Sequence, residues 1–328
     1  MSKFSQYQFV VLLAALGASP LAYANLDTDV SPETRAFNFF TDASNGWTEA
    51  IYTHGALAAD GKPDGVIAPG GGGQAFDTEY LFFKYTAGSE GVSDKLSIGL
   101  QSGFNLIDNR ISYNGSMYYG GDLALSFDGI DRSGDPSTYA SSYEYAVDFG
   151  KLTKDKNLNK VSNAQNDYGN DTGVDAAGLY SVSNWNDNIT QSESSPFAMT
   201  SGDLLQGLSF TENDNWQTSM TLPDPGPNST GRGFTDGDNA SGIDGTYYRI
   251  VTFDLNKIIG LGDTFTVDAH WTMSCGNDDI NGRIVIARNT GGGGGDNPVP
   301  EPSALALMFV GSLGLGFPGI RRRFFKRS

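Results

Sequence analysis

The sequence predicts an all-β protein, an antiparallel β-sandwich of jelly-roll-like type with long polar loops, set between two membrane-directed ends. Three observations predict it. Short runs rich in aromatic and β-branched residues recur through the middle of the chain, the composition that suits a pleated, half-buried surface. The 43 Gly, grouped with Asn, Asp and Ser, interrupt those runs at short intervals and supply turns. Between the two ends no stretch carries the apolar period of an amphipathic helix. With 20 Phe, 15 Tyr and 4 Trp the chain has the area for a large core, since each buried aromatic removes ~150–250 Å² from water. One cysteine, Cys275, rules out an intramolecular disulfide, so packing must hold the fold.

Taken in order, residues 1–24 place Lys3 ahead of a short apolar core, residues 9–16, and end in Ala22-Tyr23-Ala24. That is the layout of a secretory signal peptide cleaved after Ala24, with Ala22 and Ala24 as the small residues the peptidase needs. The apolar core is too short to span a bilayer. The mature body, residues 25–288, is then expected outside the cytoplasm.

Seven strands are predicted in this body: residues 79–85 (EYLFFKY), 95–101 (KLSIGLQ), 122–128 (DLALSFD), 143–149 (YEYAVDF), 247–255 (YYRIVTFDL), 264–273 (TFTVDAHWTM) and 283–287 (RIVIA). Alternation is clearest in the sixth. Phe265, Val267, Ala269, Trp271 and Met273 share one face, and Thr264, Thr266, Asp268, His270 and Thr272 the other, the pattern of a strand with one wet side. Residues 151–178 and 223–245 read as polar surface excursions, and residues 70–73 as a glycine loop lacking the Lys-Ser/Thr of a phosphate cradle.

Charge limits the partners. The two ends hold six of the 21 Lys+Arg and one of the 38 Asp+Glu, so the body keeps 15 basic against 37 acidic residues, a formal −22. Such a surface repels phosphate, which argues against nucleic acid and anionic lipid.

The candidate chemical sites each have a plain structural alternative. Asp236, Asp238, Asn239 and Asp244 lie in one glycine-rich loop, and Asn277, Asp278, Asp279 and Asn281 in a second. Hard oxygen ligands on short turns are what Ca²⁺ requires, yet neither loop has EF-hand spacing, and Asx turns use the same residues. Calcium is the one cofactor the sequence admits. Cys275 reads as a small buried hydrophobe at a strand end, against the alternative of a reactive thiol. His270 is expected to face solvent. Trp47, Trp185 and Trp216 stand in Asn/Asp-rich contexts and offer either a sugar-stacking platform or core anchors. Asn114, Asn170, Asn188, Asn228 and Asn239 begin Asn-x-Ser/Thr triplets, which abound in Asn-rich loops. No G-x-S-x-G elbow and no zinc-ligand spacing occurs, so the reading is non-enzymatic.

At the C-terminal end, residues 289–299 form a Gly-rich tether, followed by Pro300-Glu301-Pro302. An uncharged apolar run, residues 303–320, is long enough as a helix to cross a bilayer. Arg321, Arg322, Arg323, Lys326 and Arg327 follow, a basic flank that keeps the terminus cytoplasmic.

Triplet, apolar segment and Arg-rich end on an exported chain resemble the PEP-CTERM sorting signal of exosortase substrates in Gram-negative bacteria. The resemblance implies cleavage near Pro300, Glu301 and Pro302 by a membrane exosortase. The transmembrane helix would hold an inner-membrane intermediate until then. Delivery to the cell surface or an exopolysaccharide matrix would follow. The segments EYLFFKY, LSIGLQSGF, GDLALSFDG, YEYAVDFG and HWTMSCGND resemble the core of a group of exosortase-dependent surface proteins of undefined role. The expected function is structural or adhesive, in envelope or biofilm matrix; the alternatives are a calcium- or carbohydrate-binding module and an enzyme acting on polysaccharide.

Overall fold

A computed structural model describes residues 38–52, 73–76, 78–130, 140–161, 176–191, 194–213, 224–232, 246–276 and 278–288. The signal peptide, the tether and the sorting signal lie outside them. Fifteen strands form within the described residues, in chain order β1 Thr48–Glu49, β2 Ile51–Tyr52, β3 Thr78–Thr86, β4 Lys95–Ser102, β5 Arg110–Tyr113, β6 Ser116–Tyr119, β7 Leu123–Ser126, β8 Tyr145–Asp148, β9 Gly178–Asn186, β10 Ala198–Gly207, β11 Thr211–Asn213, β12 Ser229–Arg232, β13 Tyr247–Asp254, β14 Thr264–Thr272 and β15 Asp279–Ala287. The protein is all-β and sandwich-like. Sheet A runs β1-β3-β4-β13-β12-β11, sheet B runs β10-β9-β8-β7-β14-β15-β2, and β5 with β6 makes a hairpin. Every named pairing is antiparallel except β11 with β12.

The period-two alternation builds the interior. Leu81, Phe83, Leu96, Ile98, Leu100, Val251 and Phe253 from sheet A meet Leu123, Leu125, Val147, Leu179, Val267, Ala269 and Trp271 from sheet B in one core. Trp271 is fully buried, and its indole N–H donates to Gly121 O at 3.0 Å, so its polar edge is satisfied where its area is buried.

Each of the seven predicted strands is present, though β15 begins four residues before residue 283, at Asp279. The jelly-roll-like arrangement is corrected. A jelly roll alternates sheets from strand to strand, whereas β7, β8, β9 and β10 lie side by side as a meander. Consecutive antiparallel strands tend to become neighbours, here across connections of 18, 29 and 11 residues. One expected excursion is also corrected: within residues 223–245 the chain enters sheet A as β12. In residues 151–161 Asp155 holds a closed turn, accepting from the backbone N–H groups of Asn157 and Asn159 and from Asn188 Nδ2, with residues 156–160 exposed.

Beyond Thr266, β14 does not keep a wet outer face. His270 is 1% exposed and Asp268 and Thr272 are fully buried, because neighbouring loops cover β14. Ile130 N donates to Asp268 Oδ2 at 2.9 Å, and Arg283 Nε donates to Asp268 Oδ1 at 2.8 Å. His270 Nε2 lies 3.1 Å from Ser194 O and 2.9 Å from Pro196 O, while Nδ1 lies 2.9 Å from Asn281 Oδ1. The solvent-facing reading of His270 is therefore wrong: a polar face that each loop can satisfy with hydrogen bonds is buried as readily as an apolar one.

Candidate functional site

The outer face of sheet A is organised by register. Phe82 pairs Gly99, which pairs Ile250; Lys84 pairs Ser97, which pairs Thr252; Thr86 pairs Lys95, which pairs Asp254. These three cross-strand rows grade from apolar to polar. Over the first row sits the short helical turn Asn38–Thr41, and Phe40 stacks on Phe82 with ring centroids 4.7 Å apart and planes 5° apart. A side chain at Gly99 would collide with that ring, with an ideal Cβ only 2.5 Å from Phe40 Cε1. Glycine is thus what lets the aromatic cap reach the sheet.

Trp47, just before β1, packs edge-on against Phe39 at 6.2 Å and Phe40 at 5.0 Å, and with Phe82, Tyr248 and Ile250 they form a second small core outside the main one. Asn45 Nδ2 donates to Phe39 O at 2.9 Å and fixes the turn that presents them. Gly46 closes that turn at φ +70°, left-handed backbone that favours glycine.

Where the aromatic cap ends, a cavity of about 270 Å³ opens over the polar rows. Phe39 and Trp47 make its wall. Lys84, Ser97 and Thr252 form its floor, Thr86 and Lys95 lie beyond, and Asp224, Gly226 and Pro227 close the far side. The Ser97 and Thr252 hydroxyls share a hydrogen bond of 2.7 Å. Lys95 pairs with Asp254 at 3.1 Å, and Asp224 Oδ1 accepts from Gly226 N at 2.9 Å. Lys84 has no ion-pair partner among the described residues. The Trp47 indole N–H is buried without an acceptor there. A half-exposed aromatic beside hydroxyls, an amide, a carboxylate and an ammonium is chemistry suited to a small polar ligand with an apolar face.

A second buried polar centre lies in the interior. Arg249, on β13, is fully buried and donates to Thr230 Oγ1, Asn109 Oδ1 and Leu106 O, with its guanidinium 4.0 Å from the Phe149 ring centre. Burial pushes its pKa down to about 9, against the opposing pull of Glu212, Asp122 and Asp148. It donates to the protein's own acceptors on three sides, which makes it a structural cross-tie.

The predicted site residues fall as follows. Cys275 is 3% exposed, which fits the small buried hydrophobe and leaves the thiol without access to solvent. The second acidic loop is corrected: Asp279 and Asn281 are strand residues of β15 and are buried. Asp278 Oδ2 accepts from Thr78 Oγ1 at 2.7 Å, tying the start of β15 to β3. Among the described residues no group of three His, Cys, Asp or Glu side chains converges as a metal would need. Asp236, Asp238, Asn239 and Asp244 lie outside the described residues, as do Ala22, Ala24, Pro300, Glu301, Pro302, Arg321, Arg322, Arg323, Lys326, Arg327 and Trp216.

The tryptophan platform divides. Trp47 lines the sheet A cavity, whereas Trp185 is on β9 of sheet B, its indole donating to Tyr143 O at 3.0 Å. Lys84, Ser97 and Thr252 were not singled out from the sequence, and no local motif marks them; only the pairing of β3, β4 and β13 assembles the row.

No helix among the described residues is long and apolar enough to cross a membrane. No family model matches the chain, and no curated protein or solved structure matches it either.

Proposed function

We propose that the chain is an exported surface or matrix protein, processed by an exosortase at Pro300-Glu301-Pro302, whose β-body adheres to extracellular glycan without catalysis. Delivery is supported by the order of segments: export signal, body, Gly-rich tether, Pro-Glu-Pro, apolar run and basic end. Adhesion is carried by one observation, the outward-open cavity with Trp47 in its wall and the Lys84, Ser97 and Thr252 row in its floor. Sugar rings present C–H faces that pack on aromatics and hydroxyls that exchange hydrogen bonds with such a floor. The volume suits one residue of a chain more than a drug-sized ligand, for which pockets start at roughly 300 Å³. Weak single-residue binding becomes firm retention when many copies engage one polymer.

We read the two sheets as packed face to face, which leaves the outer side of sheet A toward the matrix. Peptide mass spectrometry of the mature protein, with and without the host's exosortase, tests the delivery half. A C-terminus near Pro300 to Pro302 only when the enzyme is present is the expected result. Retention of residues 303–328 in both strains would make the chain a plain membrane-anchored surface protein.

A further inference from the structure

We propose that the sheet A cavity selects an acidic sugar, a uronate or similarly carboxylated unit of a polysaccharide, with its ring beside Trp47 and its carboxylate on the Lys84 ammonium. This rests on the glycan reading above and narrows it to one ligand class.

The argument turns on the difference between two lysines in adjacent rows. Lys95 has its counter-charge, Asp254, 3.1 Å away on the neighbouring strand. Lys84, one row nearer the aromatic wall, is flanked across the sheet by Ser97, whose hydroxyl is already engaged with Thr252. Its ammonium has no ion-pair partner among the described residues. Its stem runs beside the Gly46 turn: Cε lies 3.7 Å from the position a Cβ would take on Gly46, next to Trp47 in sequence. Wall aromatic and cation therefore lie at the same turn.

An uncharged ligand covering this floor would strip water from an ammonium and return no counter-charge, which is unfavourable. A carboxylate replaces that water with a charge-assisted hydrogen bond, among the stronger polar contacts available. The body's formal −22 works the other way at long range, since it repels an anionic polymer as a whole. Recognition must then be local, and salt has two opposing effects. Screening relieves the long-range repulsion and weakens the Lys84 contact, so a short oligosaccharide, which feels little of the former, isolates the latter. Asp224 at the far side is held by Gly226 N and leaves an oxygen for a sugar hydroxyl to donate to.

The test is calorimetric titration of the full-length protein with tetragalacturonate, tetraguluronate and a hyaluronate tetrasaccharide, against cellotetraose and maltotetraose as neutral probes. At least one acidic probe is expected to bind tenfold or more tightly than either neutral one. Lys84→Gln should abolish that preference by weakening acidic binding tenfold or more while Tm stays at the wild-type value, and Trp47→Phe should weaken both classes. Equal affinity for acidic and neutral probes, or acidic binding unaltered in Lys84→Gln, overturns the anionic assignment and leaves glycan adhesion standing. Binding of none of the five overturns both.

Discussion

Gly99→Ala tests the link between the aromatic cap and the cavity. Gly99 pairs with Phe82 on one side and Ile250 on the other, in the interior of sheet A. Its added methyl would stand 2.5 Å from Phe40 Cε1 and 2.9 Å from Cζ. Carbon atoms rest at ~3.5–4.0 Å, so the ring must retreat by about 1 Å or more. Retreat weakens the stack on Phe82 and the edge contact with Trp47, each aromatic pair contributing ~0.5–1.5 kcal/mol. Overpacking adds about 1–3 kcal/mol, while replacing a strand glycine returns about 0.5–1 kcal/mol. The net expectation is a destabilisation of about 1–3 kcal/mol, read from the urea midpoint, together with weaker glycan binding because Trp47 shifts with Phe40. Gly207→Ala is the control: it also lies in a strand, with nothing within 4 Å of the added carbon, and should leave both readouts near wild type. A Gly99→Ala protein with the wild-type midpoint would refute the claim that this glycine admits the cap. A lower midpoint with undiminished binding would separate the cap from the cavity.

Three further predictions follow from the same geometry. Arg249→Met should destabilise the fold by about 1–3 kcal/mol in urea melts, since it strands buried acceptors that the guanidinium now satisfies, and Arg249→Ala should lose more through the cavity it leaves. Cys275 should resist a thiol reagent such as dithionitrobenzoate in the native protein and react fully in urea; rapid native labelling would contradict its burial. Burial pushes the Asp94 carboxyl up, but Gly88 N and Arg288, 2.7 Å away, outweigh it and hold its pKa below the ordinary carboxylate value. Its stabilising effect is thus full above the unfolded-state value of ~3.9 and is lost as pH falls through the lower folded value, so Asp94→Asn should flatten the stability profile below about pH 4.

The strands that the sequence reveals are those whose alternation is rich in large apolar residues. β4 and β14 alternate apolar residues, Leu96, Ile98 and Leu100 in one and Phe265, Val267, Ala269 and Trp271 in the other, and those faces lie in the main core, beside Leu81 and Phe83 of β3 and Val251 and Phe253 of β13. β9 and β10 escape notice because they are an edge pair with much polar surface, and β10 contains Gly202 and two further register shifts that break its period. The hairpin of β5 and β6 had a readable sign that went unused. Asn114 and Gly115 sit between short alternating runs, and both adopt positive φ, 49° and 79°, as a tight hairpin turn demands. His270 misled because alternation separates apolar from polar positions, whereas burial of the polar set depends on loops distant in sequence, here through Ser194 and Pro196.

The cavity was hidden for a related reason. Trp47 was visible as an aromatic in a polar context, but its meaning depends on what stands beside it. Lys84, Ser97 and Thr252 are separated by 13 and then 155 positions, and become neighbours only through the register of β3, β4 and β13. The same register places Gly99 one row away, where the absence of a side chain admits Phe40 and stops the aromatic cap short of the lysine. One period-two repeat therefore serves two ends. Its inward positions close the core, and its outward positions grade from Phe82 to Lys84 to Thr86, so that an apolar wall meets a charged floor within three residues of a single strand. Sliding β3 by one residue against β4 would turn both sets over at once. The core that fixes this register thus also fixes the distance between aromatic and cation on which selection of an acidic sugar depends.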